Sequence, residues 1–299
     1  MPEATARILL TGANGQVGRA LQKTLSPLGT VIAHDRGRLD LANPDAIRSA
    51  VRACRPTLIV NAAAYTAVDR AESEPVLAMA VNGIAPGILA EEARRLQAVL
   101  VHYSTDYVFD GTKPAPYTEQ DVPNPLSVYG KTKLAGEQAI RASGCAHYIL
   151  RTSWVYAAEG ANFLNTMLRL ARERPELRIV DDQTGAPTWA RAVAEMTAQM
   201  LVSDRGSGNP QCGLYHLTAL GAVTWFGFAQ AILTEAGRSL GIRMPRLVPI
   251  TTPEYPLPAP RPANSRLDTA RFTTTFGIRP APWQEMLAQC MQKKSGLAG

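Results

Sequence analysis

The chain of 299 residues is poor in cysteine and histidine, with four of each. Cys54, Cys145, Cys212 and Cys290 lie far apart and form no CxxC. That argues against a disulfide framework or a sequence-local metal site, and for a reducing, cytoplasmic compartment. No run approaches the roughly 20 apolar residues that cross a bilayer. The start, 1–7, lacks a basic segment followed by an apolar one, so neither a signal peptide nor an anchor is expected. Charged residues make up only 19%, and the net charge of +6 is not gathered into a block. Arg48, Arg52 and Arg55, like Arg169, Arg172 and Arg174, fall at helical spacing with acids between them. Such arginines read as solvated helix faces, or as a few contacts for an anionic small ligand. No basic tract is interleaved with aromatics, so neither nucleic acid nor membrane is an expected partner.

What is present is a globular composition, 46% apolar, arranged as alternating strands and helices. Short apolar strands are expected at 7–11, 31–34, 57–62, 99–104 and 147–152. Helices are expected between them at 16–28, 44–54, 82–96 and 129–143. This order predicts an α/β protein with a Rossmann-type, doubly wound parallel sheet over 1–152. Beyond Arg151 the alternation breaks down and prolines crowd 245–262. Residues 153–299 are therefore expected to form a smaller C-terminal α/β substrate lobe, with helices at 162–173, 191–201 and 224–236. A segment near 214–217 is expected to return to the sheet.

The first chemical motif joins the first strand to the first helix: Thr11-Gly12-Ala13-Asn14-Gly15-Gln16-Val17-Gly18. Gly12 permits a tight turn, Gly15 lets the backbone approach a pyrophosphate, and Gly18 allows close helix–sheet packing. The helix start then offers unpaired N–H groups to phosphate oxygens. Asp35 ends the second strand about 20 residues on, where an acid can hold the ribose hydroxyls of NAD. Arg36 and Arg38 follow at once and suit the 2′-phosphate of NADP, so the residues leave NADH and NADPH both open. Asp40, Leu41 and the run Asn61-Ala62-Ala63-Ala64-Tyr65-Thr66 close later stretches of sheet, where a cofactor crevice lies.

The second motif is Tyr129-Gly130-Lys131-Thr132-Lys133, which opens a helix. Tyr and Lys four apart share one helix face. A free tyrosine, with a pKa of about 10, is a weak acid–base group at neutral pH. A nearby ammonium is expected to stabilise its phenolate. Ser104-Thr105-Asp106 ends the preceding strand, and Thr105 offers a hydroxyl to a carbonyl oxygen.

These strings resemble the extended short-chain dehydrogenases. Within them, VNAAAYTAVDRAE, HYSTDYVFDG, LRTSWVY, DDQTGAPT and RPANSRLDT are similar to the dTDP-4-dehydrorhamnose reductase family over essentially the whole chain. The resemblance implies NADPH or NADH as cofactor and dTDP-4-dehydro-L-rhamnose as substrate. It places Gly15, Gln16 and Val17 at the pyrophosphate, Asp35, Asp40 and Leu41 on the adenosine side, and Ala64, Tyr65 and Thr66 by the nicotinamide. Thr105, Tyr129 and Lys133 would be the catalytic set, with Asp106 and Trp154 at the sugar and 181–188 and 261–267 near the substrate. It admits a homodimer, while no local carboxylate cluster places a metal. Three rivals stay open. A dehydratase carries an acid where Tyr107 stands, an epimerase keeps its NAD, and the family also includes a regulatory subunit of methionine adenosyltransferase.

Overall fold

In this computed structural model, residues 6–206 and 210–296 are described. Most of the 1–7 segment read for a leader lies outside them. Six parallel strands form one sheet: β1 (Arg7–Thr11), β2 (Thr30–His34), β3 (Leu58–Asn61), β4 (Val99–Thr105), β5 (His147–Thr152) and β6 (Gly213–His216), in the order β6-β5-β4-β3-β1-β2. The order reverses between β1 and β3, and a ligand crevice opens beyond the strand ends at such a point. β6 reaches the sheet from the second half of the chain, pairing with β5 from Gly213↔Tyr148 to His216↔Arg151.

Both faces of the sheet are covered, so its strands are apolar throughout, and the two-residue period sorts them between two cores. Ile8, Leu10, Val60, Val101 and Leu150 face one side, packed with Leu21 and Leu25 of α1 (Gln16–Leu25) and with Val193 and Met200. Leu9, Ile59, Leu100 and Ile149 face the other. There they meet Ile47 and Val51 of α2 (Pro44–Cys54), Ile88 and Leu89 of α3 (Ala85–Leu96) and Ile140 of α4 (Val128–Ser143).

One expected helix begins earlier than its pattern suggests. The run expected from 82 starts at Pro75 and passes through a π-helical turn, Ala80–Ile84, before α3. The wide turn holds the buried Asn82, whose Oδ1 accepts from Tyr65 N at 2.8 Å and whose Nδ2 donates to Tyr65 O at 3.0 Å. Such a turn interrupts a helical period, and it recurs beside functional sites. By length and composition Pro75–Leu96 is apolar enough to cross a membrane, but over half of it is buried inside the protein.

Candidate active site

A cleft of about 710 Å³ opens at the strand ends. Its floor is the glycine turn. Gly12 takes φ +70°, and a Cβ there would stand 2.6 Å from Ala63 N, because the turn runs against the end of β3. Gly18 lies behind it, where a Cβ would meet Gly12 O at 2.0 Å. The start of α1 therefore sits hard against the turn. Gly15 caps α1 without a side-chain bond, so the first-turn N–H groups remain available to an anion.

Of the residues expected to serve a cofactor or substrate, Gly12, Gly15, Gln16, Val17, Arg36, Asp40, Leu41, Ala64, Tyr65, Thr66, Thr105, Asp106, Tyr129, Lys133 and Trp154 all line this cleft. Gly18, Asp35 and Arg38 do not. Gly18 is covered by the turn it supports, and Asp35 is turned aside, accepting from Asn14 Nδ2 at 2.8 Å and from Arg38 N at 3.1 Å. Ser104, Tyr107, Thr152, Ser153, Val155 and Trp225 also line it, residues to which sequence reading gave no cofactor or substrate role. Tyr107 was within the STDYVF string. Trp225 carried no local signal, since it reaches the cleft only through packing. Neither 181–188 nor 261–267 borders the cleft; they act from behind the residues that do. Ser265 lies beside the Asp106 carboxylate and works against the upward shift that burial imposes on it. Arg261 lies beside Tyr107 and clamps Asp69 through two bonds, at 2.9 and 2.7 Å.

At the inner end lie three chemical groups. Ser127 caps α4 by accepting from Gly130 N at 3.1 Å, which sets Tyr129 and Lys133 in the first turns. The Tyr129 hydroxyl lies beside Thr105, whose Oγ1 donates to Asp106 Oδ1 at 2.9 Å. Burial pushes Tyr129 up to about 12 and Asp106 up to about 6. Tyr129 is thus held protonated, the form in which it can donate. Lys133 Nζ donates to Tyr103 O at 2.6 Å and lies 3.2 Å from Nε2 of the buried His102. The expectation that Lys133 draws the tyrosine pKa down is not met in the protein alone, because the ammonium is bonded to strand β4 and desolvation governs Tyr129.

Burial also lowers Lys133, to about 8. The folded protein therefore releases this proton near pH 8, whereas the unfolded chain keeps it until about 10.4. Between those values the unfolded state binds more protons, so stability gains with rising pH, by at most about 1.4 kcal/mol per pH unit. Urea unfolding from pH 7 to 10.5 should show this gain in the wild type and not in Lys133→Met. Parallel pH curves would mean that Lys133 titrates normally.

A family profile described as the RmlD substrate binding domain matches residues 6–295. The chain is 47% identical to dTDP-4-dehydrorhamnose reductase of Burkholderia thailandensis, over 96% of this chain and 98% of that protein. The chain belongs to the dTDP-4-dehydrorhamnose reductase family. It is also 46% identical to the reductase of Escherichia coli K12, covering 93% of this chain and 94% of that one. The crystal structure of the Bacillus anthracis reductase in complex with NADP superposes with a TM-score of 0.88 at 35% identity, over 97% of this chain and all of that chain (100%).

Proposed function

We propose that this chain reduces the C4 keto group of dTDP-4-dehydro-L-rhamnose to give dTDP-L-rhamnose, using NADPH or NADH. The observation that carries the reading is the convergence of Thr105, Tyr129 and Lys133 at one end of a cleft floored by the glycine turn. Relatives 47% and 46% identical over nearly the whole chain bear that activity in their names, and one relative is crystallised in complex with NADP. The cleft fits a dinucleotide on its own terms. Added Cβ atoms at Gly12 and Gly18 would collide with backbone in the cradle, and the α1 N–H groups are available to the pyrophosphate. Arg36 borders the cleft and suits a 2′-phosphate, while the carboxylate of Asp35 already has two partners; NADPH is favoured and NADH remains usable.

When bound, the reduced nicotinamide supplies a hydride to the sugar C4. The protein supplies position and a proton. Tyr129, half-buried and protonated, gives its O–H proton to the oxygen on C4 as negative charge develops there. Thr105 Oγ1 turns from Asp106 to donate to the same oxygen and polarises it. The Lys133 ammonium, on the same helix face, stabilises the phenolate left behind and would hold the nicotinamide ribose when the cofactor is bound. Asp106 and Trp154 border the place left for the sugar. A division of labour follows: 1–152 holds the cofactor, and 153–299 mainly holds the nucleotide sugar, with β6 as its contribution to the sheet. The dehydratase reading loses support because the residue after Asp106 is Tyr107, a half-buried phenol whose pKa desolvation pushes up, rather than a carboxylic acid. A cytoplasmic location is supported by cysteines that are all free.

The purified protein should oxidise NADPH when given dTDP-4-dehydro-L-rhamnose, generated from dTDP-glucose by a 4,6-dehydratase and a 3,5-epimerase. dTDP-glucose alone should give no signal, since it offers no carbonyl. Absorbance at the nicotinamide band reads both. Equal rates with unrelated keto sugars would overturn the substrate assignment. Cofactor binding without oxidation by any ketone would favour a regulatory protein.

A further inference from the structure

The segment 181–188 lines no part of the cleft, yet its contacts converge on one side chain that does. Gly185 passes so close to Trp154 that a Cβ on it would stand 2.4 Å from the indole Cε2 and 2.7 Å from Nε1. Thr184 and Gly185 pair antiparallel with Thr224 and Val223. Thr224 Oγ1 donates to Asp181 Oδ1 at 2.5 Å and accepts from Gly227 N at 3.0 Å, capping the helix α5 (Trp225–Leu240). The first residue of that helix is thereby anchored to 181–188. It is Trp225, and its ring lies flat on Trp154, with centroids 3.5 Å apart and planes within 4°. Phe163 backs Trp225 at 4.5 Å.

Two features of this arrangement are costly in isolation. Trp154 has φ +47°, a left-handed conformation that a bulky side chain keeps only where its surroundings enforce it. Two free indoles prefer offset or edge-on geometry, because overlaid ring faces carry like charge. Both features meet at a half-buried side chain that borders the cleft, beside the only stretch of α5 that reaches it.

We infer that Gly185 and Trp225 are positioning residues for Trp154, holding its indole as a fixed wall against which the sugar of the nucleotide sugar is seated. The inference rests on the reductase reading and names what sets affinity for that substrate. A 6-deoxyhexose presents C–H groups and a methyl, which suit an indole face. Neither residue reaches the proton donor, so substrate affinity changes and chemistry does not.

Three variants test this: Trp225→Ala, Trp225→Phe and Gly185→Ala. Trp225→Ala and Gly185→Ala should each raise KM for dTDP-4-dehydro-L-rhamnose at least tenfold, with kcat and the KM for NADPH within threefold of wild type. Trp225→Phe, which keeps a flat ring on Trp154, should recover KM to within threefold. The near-UV circular dichroism of the coupled indoles should collapse in Trp225→Ala. A KM within twofold of wild type in Trp225→Ala would overturn the inference. So would a parallel fall in kcat, NADPH affinity and Tm, the signature of general disruption. Titration with dTDP-L-rhamnose, read by tryptophan quenching, tests the wall without turnover: binding weakened tenfold in Gly185→Ala supports it and unchanged binding overturns it. Absence of NADPH oxidation by the wild type would count against the reductase reading alone.

Discussion

Replacing Tyr129 with Phe is expected to lower kcat at least a thousandfold while NADPH affinity stays within about threefold of wild type. The expected loss is the upper part of the range that one acid–base group contributes, about 10²–10⁴. Tyr129 is the hydroxyl of the cleft end that both lies beside Thr105 and is held protonated by burial, up to about 12. Removing one oxygen leaves the ring and its edge-on packing against Tyr107, at 5.6 Å, in place. It also leaves the glycine turn untouched, which is why binding of the cofactor should survive. Stopped-flow reduction and a fluorescence titration with NADPH separate the two effects. Retention of a tenth of wild-type kcat would remove Tyr129 from the acid role.

The largest effect on stability is expected at Glu137, a residue with no part in the chemistry. Its carboxylate, on the turn of α4 that follows Lys133, accepts from Arg151 Nε at 2.8 Å and Nη2 at 2.6 Å, and from Ser104 Oγ at 2.5 Å. Glu137 and Arg151 are each about 1% exposed. The Arg151 guanidinium also lies over the Phe109 ring at 5.0 Å. Glu137→Ala leaves that cation in the core with no counter-charge, which costs about 3–5 kcal/mol. Against a total stability of about 5–15 kcal/mol, that is a large share. The midpoint of thermal unfolding should fall by roughly 10 °C. Replacing both partners, Glu137→Leu with Arg151→Met, should recover much of the loss, since no uncompensated charge then remains. A loss below about 1 kcal/mol in Glu137→Ala, the scale of an exposed pair, would show that Arg151 finds another partner or water. Because Ser104 adjoins Thr105, the same variant should also loosen the strand end that presents the threonine.

Much of the site is legible in the sequence because its chemistry is written in short spacings. The turn Gly12 to Gly18 lies between a strand and a helix, and only glycine tolerates the approach to Ala63 and Gly12 O. Tyr129 and Lys133 share a face because a helix repeats every 3.6 residues. The sheet is legible because strands covered on both faces are apolar throughout. Where Asp35 directs its carboxylate is not legible, because its proximity to the glycines says where its Cα is, not which donor it meets; Asn14 Nδ2 is one such donor.

The sequence by itself therefore determined the strand–helix order, the glycine turn, the Tyr–Lys pair and the family. Tertiary structure alone decided which partners complete them. Lys133 bonds Tyr103 and His102 rather than the tyrosine four residues before it. Trp225 joins the cleft through Trp154. Ser265 reaches Asp106 from the far end of the chain. Spacings within a turn of helix or a strand are governed by fixed backbone periods and can be read from sequence. Contacts between residues separated by tens of positions follow no period; they are settled only when the sheet stacks its strands and buries the side chains between them.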